Sequence, residues 1–437
     1  MIALIQKYAD PASAVKLAAS LERLVREGRC AADSLLPPVR ELATAVGISP
    51  GTAAAAYKLL RARGVVATDR RRGTRILAEV SQREYRDLPV PAGESDLRLA
   101  NPDPALLVNL RPAFAAISVA PGGYGGEHVD AKLAHIVERM FAKDGVNAAH
   151  LFVAGGAIGA LQRALRAVAV AGDKVAVEDP GFNEHHALVR SVGCVPAAVA
   201  LDDEGMIPES LAAALRAGVR AVVLTARCQS PTGAALSPDR AAQLRSVLRE
   251  APEVAVLVDD YGALLASEPY ADVVRGRKEW LLVRSFNKVL APDLRVAVAV
   301  GDAQTIARMH EQLWLGDGWV SPYLQRVAAE ALKSQAPLRR ARAVYDARRE
   351  ALRDALRSHG IASHGRTGLN VWIPVQDEAA VVAGLAASGL HIRAGARYRL
   401  HSAPAVRVTT AQLTLTDAHR LARALSALMH NSARHAP

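Results

Sequence analysis

Four short apolar runs recur between residues 174 and 285: "KVAVED" (174–179), "AVVLTA" (221–226), "VAVLVDD" (254–260) and "WLLVRS" (280–285). Ala/Leu/Arg-rich stretches of helical composition separate them. This alternation constrains the fold more than any other feature. Short strands that are apolar throughout are buried on both faces, and parallel neighbours must be joined by crossovers, usually helical. The pattern predicts α/β layering with a mostly parallel sheet. Towards the C-terminus such runs thin out, which predicts a smaller α+β subdomain over about residues 330–437.

Turn-like motifs mark the ends of the predicted strands: "AGGA" (154–157), "DPGF" (179–182), "SPTG" (230–233), "DDYG" (259–262) and "SFNK" (285–288). Each alone is an ordinary turn or a surface lysine. Together they collect at the C-terminal ends of strands, where open α/β sheets bind ligands. Their chemistry fits pyridoxal phosphate, which needs an amine, an acid, a phenolate donor, a phosphate cradle and an aromatic lid. Lys288 offers the amine for a Schiff base. Asp259 offers the acid for the ring nitrogen, and Tyr261 a donor for the phenolate. Gly155, Gly156, Ala157 and Ile158 open a helix whose N-terminus favours phosphate. Ser285 adds a hydroxyl, Arg295 a charged fork, and Phe182 a stacking ring.

The N-terminal segment has a different character. Residues 14–27 and 38–46 have helical spacing, and Gly47 ends the second helix. Ser49 is placed to cap a third helix that starts at Pro50 and runs towards Gly64. Two short β segments then flank "DRRRGT". Helix, helix-turn-helix and wing predict a winged helix-turn-helix over residues 1–78. The charge agrees: the chain carries +11, of which +7 falls in residues 1–78. A basic head on a near-neutral body points to a polyanionic partner for the head. Base readout would rest on Arg40, Thr52 and Lys58, with Ser49 beside them. The wing residues Arg70, Arg71, Arg72, Gly73 and Thr74 would meet the backbone or minor groove. Residues 79–100, polar and Pro/Gly-containing, predict a linker, which leaves 101–437 as the body.

With 51% hydrophobic residues the chain has ample material for large cores. No apolar run reaches membrane-spanning length, and the N-terminus lacks a secretory pattern. Cys30, Cys194 and Cys228 are odd in number and in no metal-ligating spacing. These features predict a cytoplasmic protein with no membrane partner and no metal.

In the order GGA, DPGF, CQSPTG, DDYG, SFNK, APDLR, the chain resembles the fold type I aminotransferases over roughly residues 100–430. "LPPVRELATAVGISPGTAAAAYKLLRARG" with the wing "RRRGTRI" resembles the GntR-type winged helix. The fusion is similar to the MocR subfamily of GntR regulators. That resemblance implies a homodimer whose aminotransferase-like body binds pyridoxal phosphate and senses a ligand, while the head binds double-stranded operator DNA. It assigns Lys288, Asp259, Tyr261, Ser285, Arg295 and Phe182 the roles given above. It also implies that Tyr124 of "GGYGG" reaches the neighbouring subunit's phosphate and that Arg407 of "SAPAVRVTTAQL" binds a ligand carboxylate. Ser230 stands where aminotransferases carry an asparagine beside the phenolate, and Asn287 and Gly155 also depart from the enzymes. Efficient turnover is therefore not expected. The expected function is a transcriptional regulator that senses pyridoxal phosphate, an amino acid or an amine through Lys288. The alternatives are an active aminotransferase with an attached DNA-binding head, and a DNA-binding protein whose body serves for dimerisation.

Overall fold

The computed structural model describes all residues except 28, 32–33, 63–64, 70–72, 77–88, 120–123, 125–128 and 435–437. Arg70, Arg71 and Arg72 therefore lie outside the described residues. Two compact units result: Met1–Pro89 with Gly193–Val195, and Val90–Val192 with Pro196–Pro437.

In the small unit, helices Ile2–Tyr8, Ala14–Arg26, Val39–Val46 and Pro50–Ala62 precede an antiparallel ribbon of Val66–Asp69 and Gly73–Ile76. The first of these helices was not foreseen. The turn between the third and fourth helices follows from local chemistry. Gly47 takes a left-handed φ of 70°, which a Cβ would disfavour, and so ends the third helix. The Ser49 hydroxyl accepts from the Thr52 amide at 3.0 Å and caps the fourth. Leu17, Leu21, Leu42, Ala53, Ala56 and Leu60 close a core between helices, and Val66 and Ile76 bring the ribbon onto it. Tyr57 is buried there and donates to the Pro37 carbonyl at 2.7 Å. This leaves Gly51, Ala54, Ala55 and Lys58 exposed on the outer face of the fourth helix.

The large unit holds an eight-stranded sheet in the order Leu151–Ala154, Ala297–Gly301, Trp280–Ser285, Ala255–Asp259, Val219–Thr225, Lys174–Asp179, Val195–Asp202, Gly205–Met206. The four strands read from sequence pair in parallel. Ala297–Gly301 runs antiparallel to both its neighbours. The sheet is buried on both faces, as continuous apolar strands require.

A three-stranded antiparallel sheet, Asn370–Pro374, Ala405–Thr409 and Arg393–Ala394, packs with helices Ala336–Ser358, Glu378–Ala386 and Leu415–Arg434 as the smaller subdomain. Part of the segment read as a linker is folded into it. Ser95–Asp96 pairs in parallel with Leu390–His391, the Ser95 hydroxyl donates to Asp417 at 2.9 Å, and Leu97 is buried. The polarity that suggested a linker comes from exposed neighbours such as Glu94 and Asp96.

Candidate functional site

Five strand ends of the large sheet and one strand of the small subdomain converge on a cavity of about 260 Å³. Its walls include Gly156, Ala157, Ile158, Phe182, Ser230, Asp259, Tyr261, Ser285, Lys288, Arg295 and Arg407. The motifs from Gly156 to Lys288 meet in one place because each lies at or just past the C-terminal end of its strand, and Arg407 joins them from the small subdomain.

One end of the cavity is built for an anion. The helix Ala157–Val168 begins at Gly156, whose φ of 149° and ψ of 159° suit glycine alone. The backbone can approach closely there, and a Cβ would collide with the Arg295 guanidinium. Arg295 itself sits at a φ of 51°, which aims its side chain back at the helix start. Among the described residues no carboxylate pairs with it. Ser285 lies beside them, and its hydroxyl accepts from the Asn287 amide at 3.3 Å.

Asp259, 2% exposed, accepts from the Tyr261 amide and meets His185 Nε2, each at 3.0 Å. Burial opposes a charge on His185, but the hydrogen bond and negative charge of Asp259 outweigh it and raise the imidazole. Phe182 meets the His185 ring edge-on at 5.4 Å between centroids. The Tyr261 hydroxyl donates to the Cys228 carbonyl, and burial pushes the phenol well up. The Ser230 hydroxyl is buried among the cavity walls with no partner among the described residues.

Lys288 Nζ donates to the Ala100 carbonyl at 2.8 Å. Burial, and then the charge of Arg407, push its ammonium down to about 8. Arg407, 4% exposed, stands on the Ala405–Thr409 strand, lies 4.7 Å over the Tyr398 ring and donates to the Arg98 carbonyl. Lys288 and Arg407 are thus both tied to one stretch of backbone, which also lines the cavity through Ala100, Asn101 and Pro102.

Tyr124 is not part of this cavity. It is 88% exposed and meets the Trp319 ring edge-on at 5.7 Å. In the small unit Arg40, Ser49 and Lys58 are exposed, together with Gly73. Thr52 is half-buried, and its hydroxyl is engaged with Ser49 at 2.8 Å.

Sequence reading missed His185, the 98–102 segment and Asp179. His185 follows Phe182 by three residues, one helical turn, and that spacing was its only signal. Asp179 accepts from the amides of Leu400, His401 and Ser402 and from the Ser402 hydroxyl, which ties the "DPGF" turn to the small subdomain.

A winged helix-turn-helix joined to a fold type I aminotransferase body defines a class of regulator rather than a plain enzyme. The model for bacterial regulatory proteins of the gntR family matches residues 13–76, and that for aminotransferases of class I and II matches residues 117–425. The chain is 36% identical to the vitamin B6 salvage pathway transcriptional repressor PtsJ of Salmonella typhimurium, over 94% of this chain and 97% of that one. It is 26% identical to the pyridoxine biosynthesis transcriptional regulator PdxR of Corynebacterium glutamicum, over 78% of each. Among solved structures the body resembles the α-aminoadipate aminotransferase LysN of Thermus thermophilus, complexed with N-(5'-phosphopyridoxyl)-L-leucine. That match has a TM-score of 0.71 at 20% identity, over 82% of this chain and 96% of that one. The chain belongs to the MocR-type helix-turn-helix transcriptional regulators of the GntR family.

Proposed function

We propose that the protein binds operator DNA through its head as a homodimer and reads the level of pyridoxal phosphate through the cavity at Lys288. The carrying observation is that the chain brings to one 260 Å³ cavity the groups that cofactor demands. The fit is specific in three places. The Gly156 turn leaves room that a Cβ would fill, Arg295 has no carboxylate of its own among the described residues, and the buried Ser230 hydroxyl lacks a protein partner. When bound, the cofactor supplies an aldehyde carbon and an electron-withdrawing ring.

The chain's own residues then have defined tasks. The Gly156–Ile158 amides and Arg295 would hold the phosphate. Asp259, which meets His185 Nε2 at 3.0 Å, would hold a proton on the ring nitrogen. Tyr261 and Ser230, in the same wall, would serve the phenolate oxygen. Lys288 is poised to react because burial leaves about a tenth of its amines neutral at pH 7, against roughly three in ten thousand for an ordinary lysine. The link to the head is covalent. The Ala100 and Arg98 carbonyls accept from Lys288 and Arg407, two of the cations that a ligand would claim, and the same backbone runs on into the linker. The relatives' names, vitamin B6 salvage and pyridoxine biosynthesis, favour the cofactor itself over an amino acid or amine as the signal. The exposed Tyr124 supports a second copy of the chain as its partner.

Lys288→Ala in the full chain tests the reading. Borohydride reduction of the wild type with pyridoxal phosphate should mark the peptide containing Lys288, and the cofactor should change binding to DNA from upstream of the gene. The variant should lose both responses while retaining its fold. Label on a different lysine, or an unaltered DNA response in the variant, would refute it. Turnover of a common amino acid with no cofactor effect on DNA binding would favour the aminotransferase.

A further inference from the structure

Consecutive strand residues face opposite sides of a sheet. Ser285 lines the cavity at Lys288, and Arg284, its neighbour, lines a second cavity of about 650 Å³. The floor of this second cavity is electrically closed. Asp260 accepts from Arg227 Nε and Nη2 at 2.9 and 2.6 Å and from Arg284 Nε at 2.8 Å, and Asp144 takes the remaining Arg284 charge. Two guanidiniums therefore meet two carboxylates. The rim is not closed. Arg139 and Lys143, one turn apart on the helix Ala131–Lys143, and Arg342 on Ala336–Ser358 line the opening. Among the described residues none of the three has a carboxylate within ion-pair distance. Lys333, beside them, is matched by Glu330 at 2.5 Å. Among the described residues Arg342 donates only to the Leu264 carbonyl, at 3.3 Å, and its Nε is buried with no partner.

We infer that this cavity is a second ligand site, for a small phosphate-bearing anion. Three unneutralised cations around a recess repel one another and raise the local concentration of anions. Two guanidinium forks and an ammonium match the three oxygens of a phosphate group, and Arg342 Nε supplies a donor that has nothing else to bond. The room exceeds what a bare inorganic ion needs, so a phosphate ester or diphosphate is the class. The site does not depend on the cofactor reading, because it shares no residue with the first cavity.

The test is the thermal unfolding midpoint of the full chain, titrated with sodium pyrophosphate against sodium chloride at matched ionic strength. A saturable rise with pyrophosphate alone is expected. Arg139→Gln and Lys143→Gln are exposed changes that leave the core untouched, and each should raise the half-saturating concentration roughly tenfold. Lys58→Gln, in the head, should leave it unchanged. The inference fails if pyrophosphate does no more than chloride, or if the Arg139→Gln/Lys143→Gln double variant titrates as the wild type does. It fails equally if only Arg295→Gln or only Lys58→Gln abolishes the rise, which would place the anion at the other cavity or on the DNA-binding face.

Discussion

Gly156→Ala is the sharpest probe of the phosphate cradle. At φ 149° and ψ 159° the backbone lies in a region essentially reserved for glycine, and an alanine there costs about 1–3 kcal/mol. The added Cβ also falls on the guanidinium of Arg295, with Cζ at 3.2 Å, so the fork must withdraw. A hydrogen bond to a charged group contributes about 1.5–3 kcal/mol, so the affinity for pyridoxal phosphate should fall roughly ten- to a hundredfold. Gly155→Ala is the matched control. Its Cβ would meet nothing closer than the Arg295 carbonyl at 4.0 Å, and its φ is not in the left-handed range. That variant should bind within about twofold of wild type. Titration followed by visible absorbance measures both, and pyridoxal without its phosphate separates cradle from amine. Pyridoxal should bind the two variants alike. If Gly156→Ala binds pyridoxal phosphate as tightly as wild type, or loses pyridoxal to the same degree, the cradle does not grip phosphate.

The lowered ammonium of Lys288 makes the reaction with aldehyde pH-dependent. The neutral amine reacts, so stopped-flow capture of pyridoxal phosphate should accelerate as pH rises and level off above about 8. Arg407 is the second cause of that lowering, so Arg407→Met should move the midpoint upward. The same group affects stability. Its folded value of about 8 lies below the ordinary 10.5, so the unfolded chain binds more protons between them, and stability without cofactor should rise with pH across that window. Lys288→Met should remove this rise in denaturant titrations. In the head, Ser49→Ala removes the cap on Thr52 and should destabilise the Pro50–Ala62 helix by about 1 kcal/mol, seen as faster amide exchange in its first turn.

The layering and most of the site were legible because their signals are local. A buried parallel strand must be apolar throughout, a left-handed turn favours glycine, and a helix start favours serine. The chemistry-bearing residues lie at strand ends or in the turns just past them, so finding the strands nearly located them. Asp259, Ser285 and Lys288 belong to this class. Tyr124 does not, since its own chain leaves it in solvent. Thr52 was read as one of the few residues for base readout; its hydroxyl meets that of Ser49 at 2.8 Å, a local contact that propensity alone does not reveal.

By itself the sequence determined which element each functional residue occupies, and that the head differs in kind from the body. Tertiary structure alone decided what those residues touch. The Arg98 and Ala100 carbonyls accept from Arg407 and Lys288 across 309 and 188 positions, and a backbone carbonyl is the same group in every residue, so no letter of the sequence marks it. The Asp259–His185 pair, and the recess where Arg139, Lys143 and Arg342 converge, arise likewise from the packing of distant elements. Periodicity shows which face of an element is buried, whereas the neighbours on that face depend on the path of the whole chain.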